Sequence, residues 1–342
     1  MSGLRVSGNK IFNDAGQTVR LLGANYSMAE YNCRDSASTF WFPIDQAMVN
    51  TWKNWGFTAI RIPMNENCWL GTNSVVQSST AYRSDIQAAV NLMTSNGLAV
   101  ILDLHWNWPG TGYPQGEQTC APDADHSPAF WTSVANTFKG NSSVVFDLFN
   151  EPCQGDWACW ADGGNCGNDS WGTISYTAVG MNQLLAAVRA TGATNIVMVG
   201  GRSYAHDMTG WLAHKPTDTL NPSQLVAAFH IYGDECGVGD TCLTPSGEFG
   251  DFGAIANSYP IIAGEFGGSY GGGTNANLGC DTSHPTAFMK WLNARGQHYT
   301  AWAWNGWPYS RGCSDGDFPL TLDGTNPNAF GTILQKGIAG TL

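Results

Sequence analysis

The chain is poor in charge, and above all in basic charge. Of 342 residues only 15 are Lys or Arg, against 27 Asp or Glu, and all four types together make up 12%. An average soluble domain carries about 25%. The net charge of −12 excludes a nucleic-acid binder, which needs Lys and Arg to displace counterions from phosphates. No apolar run reaches the ~18 residues of a membrane span, so no membrane partner is expected. No two cysteines stand in CxxC spacing and no HExxH occurs, which removes the common zinc signatures. The first strand is followed by Asn25-Tyr26-Ser27-Met28, which cannot cradle a phosphate as GxGxxG does. No cofactor and no metal is expected. There is no linker, low-complexity tract or short repeat, and no signal peptide follows Met1. The whole of 1–342 reads as one mature domain, expected to be a monomer.

What is present is aromatic, glycine and cysteine. Fifteen Trp and 42 Gly in a weakly charged chain suit contact with a neutral polar ligand. Ten cysteines fit an oxidising compartment, hence a secreted protein. The recurring unit is a short apolar run, a loop, then an amphipathic stretch. A hairpin over Leu4 to Val19, turning near Asn13-Asp14-Ala15-Gly16, comes first. Strands are then expected at Arg20–Tyr26, Thr58–Met64, Leu98–Trp106, Val144–Pro152, Asn195–Tyr204, Leu225–Tyr232, Tyr259–Gly267 and Tyr299–Trp307. Helices are expected at Ile44–Trp55, Tyr82–Asn96, Pro128–Phe138, Tyr176–Thr191 and Pro285–Arg295, with none well defined after strand five. Eight strands with interleaved helices imply an α/β fold of the (β/α)8 TIM-barrel type.

In such a barrel the chemistry comes from the C-terminal ends of the strands. Those ends read Arg61-Ile62-Pro63, Asp103-Leu104-His105-Trp106, Asn150-Glu151-Pro152, His230-Ile231-Tyr232, Gly264-Glu265-Phe266 and Trp302-Ala303-Trp304-Asn305. Glu151 and Glu265 each follow an apolar run, on strands four and seven. Two desolvated neighbouring carboxylates cannot both ionise freely: one holds a proton and one stays charged. An acid beside a nucleophile is what cleavage of a glycosidic bond requires.

With these residues the chain resembles glycoside hydrolase family 5. The Gly-x-x-Val-x-Leu-x-Gly-x-Asn pattern from Gly16 to Asn25 looks like that family's opening hairpin and first strand. Arg61, His105, Asn150-Glu151, His230-x-Tyr232, Glu265 and Trp304 follow in the family's order. The match spans essentially the whole chain, and Asn-Glu-Pro is its most specific piece. The resemblance implies that Glu151 protonates the leaving oxygen and then activates water. It implies that Glu265 is the nucleophile, supported by Arg61 and the Tyr232 hydroxyl. Asn150 would bond the sugar 2-hydroxyl, His105 and His230 would orient sugar and glutamates, and Trp304 would offer a platform, with Trp302 facing the same way. The substrate implied is a β-linked polysaccharide. The Leu104-His105-Trp106 strand end favours endo-cleavage of β-1,4-glucan, with mannan, mixed-linkage glucan or exo-action as alternatives.

The loops carry the rest. Trp69, Trp106, Trp108, Trp157, Trp160, Trp307 and Tyr309 fall at or beyond strand ends. Some should line a cleft, while Trp157 and Trp160 should pack loops onto the barrel. All ten cysteines also follow strand ends, so disulfides should staple the loops of the catalytic face. Cys236–Cys242 is the favoured local pair and Cys280–Cys313 a second. The Cys153–Cys166 loop, a departure from the family, could close one end of the cleft. A serine esterase is the chemical rival, since Gly267-Gly268-Ser269-Tyr270-Gly271 matches GxSxG, but loop sequence follows where the motif needs a helix. A non-catalytic carbohydrate-binding protein is the rival of another class. Asp123, Asp125 and His126 read as a polar loop ahead of the helix opened by Ser127-Pro128.

Overall fold

The computed structural model describes residues 1–110, 116–153, 155–169, 172–233, 252–268, 282–305, 319–321 and 323–342. Three short strands open the chain: β1 (Arg5–Ser7), β2 (Lys10–Phe12) and β3 (Thr18–Val19). They form an antiparallel sheet in the order β1-β2-β3. The expected hairpin is thus two consecutive turns. The earlier one was hidden because Gly8-Asn9 reaches only from Ser7 to Lys10.

Eight parallel strands then close into a barrel: β4 (Leu22–Asn25), β5 (Ala59–Asn65), β6 (Ala99–Trp106), β7 (Val144–Asp147), β10 (Val197–Gly200), β11 (Leu225–Ile231), β12 (Ile261–Phe266) and β13 (His298–Ala301). Each is buried along its whole length except for half-buried Trp106, because helices cover one face and the barrel core the other. Gly23 is required at the β4–β5 seam. A Cβ there would lie 1.9 Å from the Ala59 carbonyl oxygen.

The helices are α1 (Asn32–Asp35), α2 (Gln46–Asn54), α3 (Glu66–Leu70), α4 (Ser79–Ser95), α5 (Ser127–Phe138), α6 (Trp157–Asp162), α7 (Met181–Ala190), α8 (Trp211–His214), α9 (Phe252–Ala256), α10 (Ser283–Ala294) and α11 (Ala329–Ile338). Local chemistry sets their ends. The Asp45 side chain accepts from Met48 N at the start of α2, and that of Ser78 from Ala81 N at the start of α4. Past α4, Gly97 takes a left-handed φ of +85° and turns the chain into β6. After strand five only the single turn α8 forms.

One helical expectation is overturned. Ser175–Val179 is a strand, β9, paired antiparallel with β8 (Gly163–Asn168). The helix begins only at Met181, since Gly180 stands at its cap and is pressed against the Ala161 carbonyl. The cysteines of this region do not staple one loop. Cys153 pairs back to Cys120, joining the loops after β6 and β7, and Cys159 pairs with Cys166 between α6 and β8. Cys33–Cys68 ties the loop after β4 to α3. Cys236, Cys242, Cys280 and Cys313 lie outside the described residues. Among the described residues, no helix is long and apolar enough to cross a membrane.

Candidate active site

Arg61 is the centre of the barrel mouth. Its guanidinium is fully buried, makes four hydrogen bonds and pairs with a further carboxylate. Nε donates to Asp147 Oδ2 at 3.0 Å. Nη1 donates to Asn25 Oδ1 and to Glu265 Oε1, each at 2.9 Å. Nη2 donates to Asn150 Oδ1 at 2.9 Å and lies 2.9 Å from Asp103 Oδ2 as an ion pair. Burial alone would strip its proton, but Asp103, Asp147 and Glu265 outweigh that and raise its pKa. The converse holds for the aspartates. Burial pushes Asp103 up to about 7 and Asp147 well above the usual carboxyl range, Arg61 only partly opposing it. One cation among three carboxylates leaves a proton to be held within the group.

Glu265 stands on β12 and receives two donors, Arg61 and the Tyr232 hydroxyl, the latter reaching Oε2 at 2.8 Å. Glu151 lies four residues past the end of β7. It accepts from His230 Nδ1 at 2.9 Å and from the Gln118 amide. His230 Nδ1 is also 3.6 Å from Glu265 Oε2. Burial pushes His230 down to about 3, so the neutral ring has one N–H to give, and the carboxylate partner takes it. A bulge sets this ring. β11 and β12 pair in step to Phe229–Ala263, then slip so that His230 faces Glu265. Gly264 is the residue passed over, and a Cβ on it would lie 3.0 Å from His230 Nε2. Facing oxygens of Glu151 and Glu265 and a His230 nitrogen all lie within 4.8 Å of one another.

His105 points Nδ1 at Asp103 Oδ2, 2.6 Å away, and burial pushes it down to about 4. Its ring stacks at 5.5 Å and 8° on Trp302. A cleft of about 490 Å³ opens here, lined by Glu30, Tyr31, Arg34, Asp35, His105, Trp106, Gln118, Asn150, Glu151, Glu265 and Trp302.

Seven of the eight expected site residues therefore converge. The eighth, Trp304, does not reach the cleft. It is 1% exposed and packs edge-on against Trp52, Trp55 and Phe57. The two tryptophans face apart because β13 ends at Ala301, and strand alternation does not extend past it. Trp302 is the half-buried aromatic of the cleft. Trp106 joins it, with the Arg34 guanidinium 5.2 Å above its ring. Trp69 is core, packed against Phe130 and Phe138. Trp160 is buried, and Trp157 stacks on His214. Trp307, Tyr309 and Ser269 lie outside the described residues.

Sequence reasoning missed Asn25, Asp103, Asp147, Gln118 and Glu30. Asp103 carried a signal, standing two residues before His105 and so on the same strand face. Gln118 carried none. Glu30 is a further buried carboxyl, pushed up to about 8 by burial, with its Oε2 accepting from Met28 N.

Several known proteins are similar to this chain. Endoglucanase B of Paenibacillus lautus is 24% identical over 281 residues, 74% of this chain and 44% of that protein. Probable endo-beta-1,4-glucanase B of Aspergillus oryzae is 25% identical over 330 residues, 92% of this chain and 88% of that protein. The chain spans only about half the length of the first curated relatives it matches. In structure it is similar to the beta-glucanase SdGluc5_26A of Saccharophagus degradans, with a TM-score of 0.71, 20% identity, and coverage of 98% of this chain and 93% of that one. The sequence profile of the family described as Cellulase (glycosyl hydrolase family 5) matches residues 19–307, and the chain belongs to that family.

Proposed function

We propose that the protein hydrolyses internal β-1,4-glucosidic bonds of cellulose or a related β-glucan, with retention at the anomeric carbon, in an oxidising extracellular setting. The observation that carries this reading is the unequal setting of two adjacent carboxyls. Glu265 receives the Arg61 cation and a phenol; Glu151 receives a neutral imidazole and an amide, and it is the more exposed, at 15% against 6% for the side chain.

Glu265 attacks the anomeric carbon while Glu151 gives its proton to the departing glycosidic oxygen. Glu151 then takes a proton from water, which displaces Glu265 and releases the sugar. The close approach of the two carboxyls supports this path, because an inverting pair must stand about 6.5–9.5 Å apart to admit water. Asn150 gives its oxygen to Arg61, which leaves its NH2 for the sugar 2-hydroxyl. His105 and Trp302 form a wall against which a ring's apolar face can rest. The endoglucanase names of the relatives support the choice of glucan. In the described residues, the Cys153–Cys166 segment does not line the cleft and folds back as α6 and β8–β9, in keeping with endo-action.

The test is release of reducing ends from carboxymethyl cellulose and from galactomannan, with Glu151→Gln as blank. Release from the cellulose derivative with a fast fall in viscosity is expected. Release from galactomannan alone would move the substrate to mannan. Release from neither would overturn the hydrolytic reading.

A further inference from the structure

The Asp123–His126 segment is the polar loop ahead of α5 that its sequence suggests, with Ala124 and Asp125 exposed, but its first residue turns inward. Asp123 is fully buried, and so is Glu66, the first residue of α3, which the fold brings against it. We infer that Glu66, Asp123 and His126 form a binding site for a divalent first-row metal ion, separate from the catalytic cleft.

The carboxyls of Glu66 and Asp123 face one another, and Asp123 Oδ1 also accepts from the His126 backbone N–H at 2.8 Å. One ligating atom from each residue lies within 4.8 Å of the other two. His126 Nδ1 is 3.9 Å from Glu66 Oε1 and 3.7 Å from Asp123 Oδ1. Glu66 Oε1 is shut off from solvent and has no hydrogen-bond partner, while Oε2 takes the Ser127 hydroxyl at 2.5 Å. Asn67 Oδ1, on the next residue of α3, is likewise buried and unpaired. Among the described residues, no lysine or arginine pairs with Glu66 or Asp123, and Asp125 adds further negative charge nearby. Around Arg61 a buried cation answers the buried carboxylates; here none does. A proton would relieve one carboxylate. A divalent ion would answer both and would use the imidazole lone pair as well.

The donor set indicates which ion. Two carboxylate oxygens and an imidazole nitrogen suit Mn2+ or Zn2+ better than Ca2+ or Mg2+; the ion would replace the hydrogen bond that His126 Nδ1 donates to the Trp108 carbonyl oxygen at 3.3 Å, the ring proton moving to Nε2. His126, 15% exposed, gives the way in. The bound ion would tie α3 to the loop between β6 and α5. Asp123 Oδ2 holds the Asn107 amide at 2.8 Å, and Asn107 exchanges backbone hydrogen bonds with Glu117. The next residue, Gln118, donates to Glu151. The ion is therefore structural, and it steadies a partner of the acid/base.

The test titrates EDTA-treated protein with Mn2+ alone. Bound ion is counted from loss of the free Mn2+ electron paramagnetic resonance signal, and unfolding is followed by heat. One ion per chain and a raised Tm are expected. Glu66→Gln and His126→Gln should each weaken binding about tenfold or more. His126 is partly exposed, so its variant carries the test if Glu66→Gln does not fold. A Glu151→Gln/Glu265→Gln double variant should still bind. No saturable binding by the wild type would overturn the proposal. So would loss of binding in the double variant with retention in Glu66→Gln, which would place the ion in the catalytic cleft.

Discussion

The two ends of the barrel are built from the same strands and have opposite contents. At the N-terminal end, Leu4, Val6 and Ile11 of the small sheet cap an apolar plug of Leu21, Ala59, Ala99, Ile101, Val145, Ile196, Met198, Val226, Ala228 and Ile262. Toward the C-terminal end the same strands carry Asn25, Arg61, Asp103, Asp147, His230 and Glu265, all buried, with Asn25, Asp103, Asp147 and Glu265 gathered on Arg61 and His230 held by Glu151. One end gains stability by removing apolar surface from water. The other buries charge, which is costly and is tolerated only where the partners are complete. The barrel is thus divided into an end that holds and an end that acts.

The largest effect should come from the acting end. Glu265→Ala should lower kcat by about 10^4-fold or more, measured below the variant's own melting range. Azide should partly restore turnover and give a glycosyl azide of inverted configuration. Unchanged turnover in this variant would remove Glu265 as nucleophile. The holding end should respond the other way. Ile11→Ala deletes a fully buried side chain and should cost about 2–5 kcal/mol of stability, with kcat unchanged below the melting range. Denaturant unfolding beside an activity assay checks this, and an equal loss of both would erase the division.

A smaller effect concerns pH. Glu30 lines the cleft, and burial holds its proton up to about pH 8 in the folded chain. The unfolded chain releases that proton in the ordinary carboxyl range. Stability should therefore fall as pH rises from that range through about 8. Glu30→Gln should lose less of its Tm between pH 5 and pH 9 than the wild type. Parallel curves would show that Glu30 carries no such proton.

The sequence revealed the acting end well because strand ends are local. An apolar run that stops at a polar residue marks a barrel mouth, and Glu151, Glu265, Arg61 and His230 all sit at such stops. Periodicity served while an element lasted and failed just past it. Trp304 was put in the cleft by the family resemblance, and the alternation that set Trp302 on the same side does not extend past Ala301. Tyr176–Val179 was put in a helix because the strand it belongs to pairs with Gly163–Asn168, a glycine-rich run with no apolar signature. Asp103 and Asp147 appeared as letters in strands, but their task needs the whole circle of strands to close on Arg61. Glu66 could not be read at all, since only the fold brings it to Asp123.

The account rests on two adjacent carboxyls acting as acid and nucleophile, and its most direct test is the anomeric configuration of the first product. A cellooligosaccharide is cleaved in an NMR tube and the new anomeric proton is observed before mutarotation. The geometry of Glu151 and Glu265 predicts the β anomer. The α anomer appearing first would mean inversion, and would contradict the role given to Glu265.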